Sequence, residues 1–297
     1  MCERRGIRLI PSDGGRFAIW CVRDAGFCFG VERAIRIATD AAARHGEIHS
    51  LGPLIHNNQA VERLESQGIH VASSLQETGG GPVITRSHGL APGLLEEAKR
   101  RGIDVIDGTC PFVEKAQQYV KLLREEGYEI VIVGNAEHPE VKGLLGFSGK
   151  DVQVVSNSSE LKPLKTPRRV GVVAQTTERV SVFVDVVGTL IESAKEVRVY
   201  NTICDSVLSR RENTSKLAST CDVVIVVGGR HSANTTQLAA TSMQLGTETH
   251  RIERPEELEA SWFVGKSAVG VTVGASTPGW ITAGVINRLK ELSHERG

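Results

Sequence analysis

Three cysteines divide this 297-residue chain into stretches of matching pattern, and that repeat constrains the fold more than any other feature. Cys28 lies in Gly-Phe-Cys-Phe-Gly-Val, Cys110 in Asp-Gly-Thr-Cys-Pro-Phe-Val and Cys204 in Asn-Thr-Ile-Cys-Asp-Ser-Val, each just after a strand-like run and just before a helical one. A polar turn follows each cysteine after 28 residues: His56 in Pro-Leu-Ile-His-Asn, His138 in Glu-His-Pro-Glu and Ser232 in His-Ser-Ala-Asn. A third polar turn comes 60, 66 and 72 residues after the cysteine, at His88, Thr176 and Ser276. The growing offset is what loops and helices of variable length produce.

Between these landmarks the chain alternates apolar runs with amphipathic stretches. The runs are Phe17–Val22, Val83–Thr85, Val105–Ile106, Ile130–Val133, Val152–Val155, Val170–Ala174, Val197–Tyr200, Val223–Val227 and Ala268–Val273. Most are continuous Val/Ile without alternation, the mark of parallel strands buried on both faces. Helical periodicity covers Val31–Ala43, Gly93–Arg101, Val113–Glu126, Val180–Ser193, Asn234–Leu245 and Ile281–Leu292. Strand–helix alternation predicts an α/β fold with parallel sheets. Ligand residues in such units collect in loops beyond the carboxyl ends of the strands. Three units around a pseudo-threefold axis would bring three cysteines to one point, ringed by polar turns. The predicted segments are a flexible N-terminal extension over 1–15, a strand and Cys28 loop over 16–29 that packs with the third domain, and α/β domains over 30–109, 110–203 and 204–297.

Charge excludes several partners. Thirty-five Lys+Arg balance thirty-five Asp+Glu, so no basic face for nucleic acid is expected. Aromatics are only 4%, which disfavours base-stacking surfaces. No apolar run approaches the roughly 20 residues that span a bilayer, and the polar N-terminus does not read as a signal peptide. Six cysteines without a secretory signal point to a reducing, cytoplasmic setting and to thiol chemistry.

A lone cysteine before a helix is usually a small buried hydrophobe, and Cys2, Cys21 and Cys221 are read that way. The repeated placement of Cys28, Cys110 and Cys204 argues for ligands instead. Zinc remains open, but structural zinc sites draw on a local Cys-x-x-Cys pair that is missing here. Soft thiolates 82 and 94 residues apart fit an iron–sulfur cluster. Three protein ligands would leave one iron of a cubane open to a substrate oxygen. The surrounding turns offer His56, His88, His138, Thr176, Thr177, Ser232, Asn234 and Ser276, donors suited to phosphate or carboxylate oxygens. Taken singly, Ser232 or Thr176 is as readily a helix cap. Glu140 is the one carboxylate in a motif loop. It is either a first-turn acid complementing a helix dipole or a proton donor whose pKa burial and anionic neighbours raise.

With these residues assembled, the chain resembles the 4-hydroxy-3-methylbut-2-enyl diphosphate reductase family from about Phe17 to Leu292. The motifs are Gly26-Phe27-Cys28-Phe29-Gly30-Val31, Gly52-Pro53-Leu54-Ile55-His56-Asn57, Arg86-Ser87-His88-Gly89, Thr109-Cys110-Pro111, His138-Pro139-Glu140-Val141, Gln175-Thr176-Thr177, Thr202-Ile203-Cys204 and Ser276-Thr277-Pro278. The resemblance implies a trefoil-like three-domain fold around a [4Fe–4S] cluster ligated by Cys28, Cys110 and Cys204. It implies diphosphate and substrate contacts from His56, His88, His138, Ser232, Ala233, Asn234 and Ser276, with Thr176 beside the substrate hydroxyl and Glu140 as proton donor. It further implies electrons from ferredoxin or flavodoxin and isopentenyl and dimethylallyl diphosphates as products. Two departures bear on substrate affinity. Ser206-Val207 and Arg210-Arg211 stand where the family commonly has Ala-Thr and Arg-Gln, and Ala233 replaces a frequent serine.

Two other readings share the three-cysteine plan. Quinolinate synthase also places one cysteine per domain around a cluster with an open iron, but condenses and dehydrates. An iron–sulfur sensor would need the ligands but no buried acid, which makes Glu140 the discriminating residue.

Overall fold

The computed structural model describes residues 6–11, 14–163 and 169–295. Cys2 lies outside them. In chain order the elements are β1 (Ile7–Ile10), β2 (Ala18–Val22), α1 (Phe29–His45), β3 (Ile48–Leu51), α2 (Asn58–Glu65), β4 (Ile69–Ala72), β5 (Val83–Ile84), α3 (Pro92–Arg100) and β6 (Val105–Ile106). Then come α4 (Pro111–Glu125), β7 (Glu129–Val133), α5 (Pro139–Ser148), β8 (Val152–Val155), β9 (Arg169–Ala174), α6 (Val180–Ser193) and β10 (Glu196–Tyr200). The last stretch holds α7 (Asp205–Ala218), β11 (Val223–Val227), α8 (Ala233–Gln244), β12 (Glu248–Ile252), β13 (Ala268–Val273) and α9 (Gly279–His294).

The strands form three sheets on one plan. Their orders are β4-β3-β5-β6, β8-β7-β9-β10 and β12-β11-β13-β2, with β1 added beyond β2. Every pairing is parallel except β1 with β2. In each sheet the first strand of the set lies second in the order, so the winding reverses between β3 and β5, between β7 and β9, and between β11 and β13. Such reversal points open a crevice at the carboxyl ends of the strands. The expected α/β architecture with three parallel sheets is what the chain adopts.

Two compact units contain these sheets. One comprises Met1–Val31, Ile55–Glu62 and Asp205–Gly297, the other Glu32–Leu54 and Arg63–Cys204. In the first, β11 runs between β13 and β12 with every residue fully buried, which explains its unbroken apolar run. In the second unit, Ala116, Val120 and Leu123 of α4 pack on Ile130 and Ile132 of β7. Gly171 of β9 leaves room for Leu123, whose Cδ2 would lie 2.4 Å from any added Cβ.

One expectation is overturned. Residues 7–10, expected to lie within a flexible extension, form β1, which pairs antiparallel with β2 and buries Ile7 completely. An isoleucine-rich segment finds an open sheet edge beside it, and burial of Ile7 offsets the entropy of ordering the strand. Edge strands β4 and β12 carry no continuous apolar run, because one face meets solvent and their His, Arg, Thr and Glu residues break the pattern.

Candidate active site

The β7/β9 crevice of the second unit holds the most distinctive chemistry. Pro139 opens α5 with its ring at the first helical position, where no N–H is needed. His138 caps the helix: its Nδ1 accepts the Glu140 backbone N–H at 3.2 Å. An accepting Nδ1 assigns the hydrogen to Nε2, which makes His138 a donor. Glu140, one residue further into the first turn, is only 1% exposed. Its Oε1 accepts the Thr176 backbone N–H at 2.6 Å and its Oε2 accepts the Thr176 hydroxyl at 2.7 Å. Burial drives the Glu140 carboxyl up to about 7, against the lowering pull of the two Thr176 hydrogen bonds. A group titrating there can both hold and release a proton at neutral pH.

Thr176 also reaches a cysteine. Its carbonyl accepts the Cys204 N–H at 2.9 Å, so one residue joins the acid to a candidate ligand. The same bond recurs in the other sheets: Cys110 N–H to the Ser87 carbonyl at 3.0 Å, and Cys28 N–H to the Ala275 carbonyl at 2.9 Å. Each cysteine is thus fastened at a strand-to-helix turn to the loop after the neighbouring strand. That neighbouring loop carries the polar turn of the preceding cysteine in the sequence repeat, with Cys28 completing the last set through β2.

The turns themselves are built differently. At Cys110, Thr85 and Thr109 both bond Asp107, whose carboxyl burial pushes up while hydrogen bonds from Thr109 and Thr85 outweigh it and hold it below its ordinary value. At Cys204, the Thr202 hydroxyl bonds both backbone groups of Ala174. At Cys28, the guanidinium of Arg210, 2% exposed, donates to the carbonyls of Gly26 at 2.9 Å and Val273 at 3.1 Å. Arg210 was visible in the sequence only as part of a motif departure; its role depends on α7 lying against β13 and β2. Val207 of the same helix is buried on its packed side.

Still in the second unit, His88 and His138 face each other edge to face, with ring centroids 5.6 Å apart. The approach depends on one glycine of α5: a Cβ on Gly146 would meet Pro92 Cδ at 2.6 Å and Ala91 Cβ at 3.0 Å. The loop carrying His88 therefore rests directly on the helix that begins with Glu140.

The first unit gathers the remaining candidates. Ser276 donates to the His56 carbonyl at 3.0 Å, and Gly229 packs on that same carbonyl. Ser232 caps α8 by accepting the Thr235 N–H at 3.3 Å, so the ordinary capping role is present. In the corresponding turn before α2 the cap is Asn57, bonded to the Ala60 N–H at 3.0 Å, and not His56. Ala233 begins α8. Asn234 is the exceptional residue: 4% exposed, with neither Oδ1 nor Nδ2 bonded to any group among the described residues. A buried amide without partners costs free energy unless a ligand satisfies it.

The thiols separate into two groups. Cys28, Cys110 and Cys204 are half-buried at turns, whereas Cys21 and Cys221 are buried. Desolvation pushes the Cys21 thiol up to about 12, which makes it a poor ligand at neutral pH.

Known proteins are similar to this chain over most of its length. The sequence model of the family described as LytB protein matches residues 19–290. A Geobacter sulfurreducens protein named 4-hydroxy-3-methylbut-2-enyl diphosphate reductase is 47% identical over 272 residues, covering 92% of this chain and 96% of that protein. One of the same name from Geotalea daltonii is 43% identical over 274 residues, covering 92% and 97%. Among solved structures, one of (E)-4-hydroxy-3-methyl-but-2-enyl diphosphate reductase, the terminal enzyme of the non-mevalonate pathway, is 41% identical and aligns with a TM-score of 0.70 over 91% of this chain and 98% of that one. The E-1-hydroxy-2-methyl-but-2-enyl-4-diphosphate reductase from Plasmodium falciparum, 26% identical, aligns with a TM-score of 0.85 over 92% and 87%. The chain belongs to the LytB protein family.

Proposed function

We propose that this protein reduces 4-hydroxy-3-methylbut-2-enyl diphosphate to isopentenyl and dimethylallyl diphosphates, the terminal step of the non-mevalonate pathway. The observation that carries the reading beyond family membership is the Glu140–Thr176–Cys204 chain, in which a buried acid titrating near neutrality is hydrogen-bonded to the residue that fastens a cysteine loop. A sensor has no use for such an acid.

The reaction removes the allylic hydroxyl as water and adds two electrons and two protons. When Glu140 is protonated, Oε2 is the oxygen that carries the proton, because the Thr176 N–H occupies Oε1, and the bond between Oε2 and the Thr176 hydroxyl then reverses direction. Turned toward Thr176 Oγ1, that proton moves on through the threonine hydroxyl to the leaving oxygen, which needs protonation to depart as water. His138, with Nε2 as donor, and His88 beside it bind and orient the substrate oxygens. In the other unit, Asn234 offers an unsatisfied amide to a diphosphate oxygen, aided by His56, Ser232 and Ser276, with Ala233 beside them. Binding displaces water from these groups and gives their hydrogen bonds full strength.

The donor set of three half-buried thiols, each at a helix start with its N–H engaged, fits a [4Fe–4S] cluster ligated by Cys28, Cys110 and Cys204. When bound, the cluster supplies one-electron transfers and an iron that accepts oxygen ligands. A partition into domains over 30–109, 110–203 and 204–297 is supported by one four-stranded parallel set per segment, the third completed by β2. Ferredoxin or flavodoxin is the expected electron donor. Free thiol ligands call for a reducing compartment, the cytoplasm. No helix among the described residues is long and apolar enough to cross a membrane.

The test is anaerobic turnover of 4-hydroxy-3-methylbut-2-enyl diphosphate with a reduced one-electron donor, with products identified by mass spectrometry. Formation of both deoxygenated diphosphates supports the reading. Unchanged substrate with an intact cluster, or a product retaining the oxygen, overturns it.

A further inference from the structure

A glycine follows the first strand of each sheet at its winding reversal: Gly52 after β3, Gly134 after β7 and Gly228 after β11. Their N–H groups make equivalent bonds, to Ala72, Val155 and Ile252 carbonyls. Each glycine leaves space for a side chain that lies over it, and that side chain differs from sheet to sheet. Over Gly134 lies Gln175, whose Oε1 accepts the Asn135 N–H and whose Nε2 donates to Thr177. Over Gly228 lie Thr235 and Thr277, the latter donating to the Val227 carbonyl. Over Gly52 lies Arg86, with Nη1 at 2.9 Å and Cζ at 3.5 Å from where a Cβ would stand.

Arg86 is the only cation of the set, and its electrostatics are unsettled. Its Nε is buried without a hydrogen-bond acceptor, and no carboxylate among the described residues pairs with the guanidinium. Burial holds its pKa below the ordinary value. A guanidinium nitrogen withdrawn from water without an acceptor is costly, and the neutral amide at the equivalent place in the second sheet shows that packing over the glycine does not require a cation. The crevice where Arg86 lies is the kind that binds ligands in doubly wound sheets, and His88 stands two residues further along the same loop.

We propose that Arg86 is an anion-binding residue of the β3/β5 crevice, supplying a positive charge that a diphosphate group can take up. This rests on the diphosphate reading given above. The hydroxyls and amides of the other turns are neutral donors, so a guanidinium adds charge that they do not supply. The cost of the unsatisfied Nε in the empty protein is recovered when an anion satisfies it, which couples lower stability to higher affinity.

The test is calorimetric titration of the anaerobically purified, cluster-loaded protein with inorganic diphosphate, using wild type, Arg86→Gln and Arg86→Lys. The glutamine variant, which copies the packing of Gln175 over Gly134, should bind about tenfold or more weakly and with less salt dependence, and the lysine variant should fall between. Without diphosphate, Arg86→Gln should unfold at the same temperature as wild type or higher, an outcome that a structural arginine would not give. Wild-type affinity in Arg86→Gln overturns the assignment alone, as does weaker binding accompanied by a loss of thermal stability. Failure of the wild-type protein to bind diphosphate overturns the diphosphate reading and this assignment with it.

Discussion

Replacing Glu140 with glutamine tests the central site through stability as well as turnover. The folded protein holds the Glu140 carboxyl near 7 where the ordinary value is 4.5. A raised carboxyl pKa means that the native state binds the proton more tightly than the unfolded chain does. The contribution to stability is therefore complete below about pH 4.5 and is lost as pH rises through about 7. At about 1.4 kcal/mol per unit, the whole loss is roughly 3 kcal/mol, of which about 2–3 kcal/mol falls between pH 5 and pH 8. Glu140 is fully buried, so solvent screening does not reduce the figure. Glutamine keeps the shape and an acceptor for the Thr176 N–H but has nothing to titrate. Anaerobic urea unfolding of wild type and Glu140→Gln at the two pH values should show the gap between them shifting by about 2–3 kcal/mol in favour of the variant at the higher pH. Comparing pH values cancels whatever the substitution does to packing. Steady-state turnover should meanwhile fall by roughly 10²–10⁴-fold, the usual worth of a general acid. Parallel stability profiles would refute the raised pKa, and near-wild-type turnover would show that protons reach the substrate by another path.

Other perturbations address the remaining parts. Asn234→Ala removes a buried amide that has no partner, so the ligand-free protein should be as stable as wild type while the Kd for inorganic diphosphate, measured by calorimetry, rises about tenfold. Gly146→Ala should drive the loop carrying His88 away from α5, destabilising the protein by about 1–3 kcal/mol in urea unfolding and raising KM. Cys204→Ser should lower iron content by chemical analysis and abolish turnover, whereas Cys21→Ser should retain both. Alkylation of the metal-free native protein near pH 8, followed by peptide mass spectrometry, should modify Cys28 well before Cys21, because burial keeps the latter protonated.

The sequence alone carried the fold class and the positions of the site loops. Val223–Val227 and Ala268–Val273 are apolar throughout because both faces of a parallel strand are buried, and each became a strand with the bounds its composition marked. The cysteines and polar turns were visible because they interrupt those runs at fixed places. Strand β1 was hidden, since four residues with an exposed Arg8 and Leu9 show neither periodicity, and only the open edge of β2 recruits them. The cap before α2 was assigned to Asn57 by backbone geometry that a residue offset does not encode. Tertiary packing also decided every property that depends on environment. In sequence Glu140 is either a first-turn acid or a proton donor; desolvation by the surrounding core and bonding to Thr176, 36 residues away, set its proton affinity. Arg210 and Arg86 stand in motif segments without a role of their own in the sequence, until the fold buries one against the Gly26 and Val273 carbonyls and leaves the other over Gly52 without a carboxylate partner among the described residues. Periodicity reports which residues leave water; charge state and hydrogen bonding depend on the partners that distant parts of the chain bring, or fail to bring, to the same place.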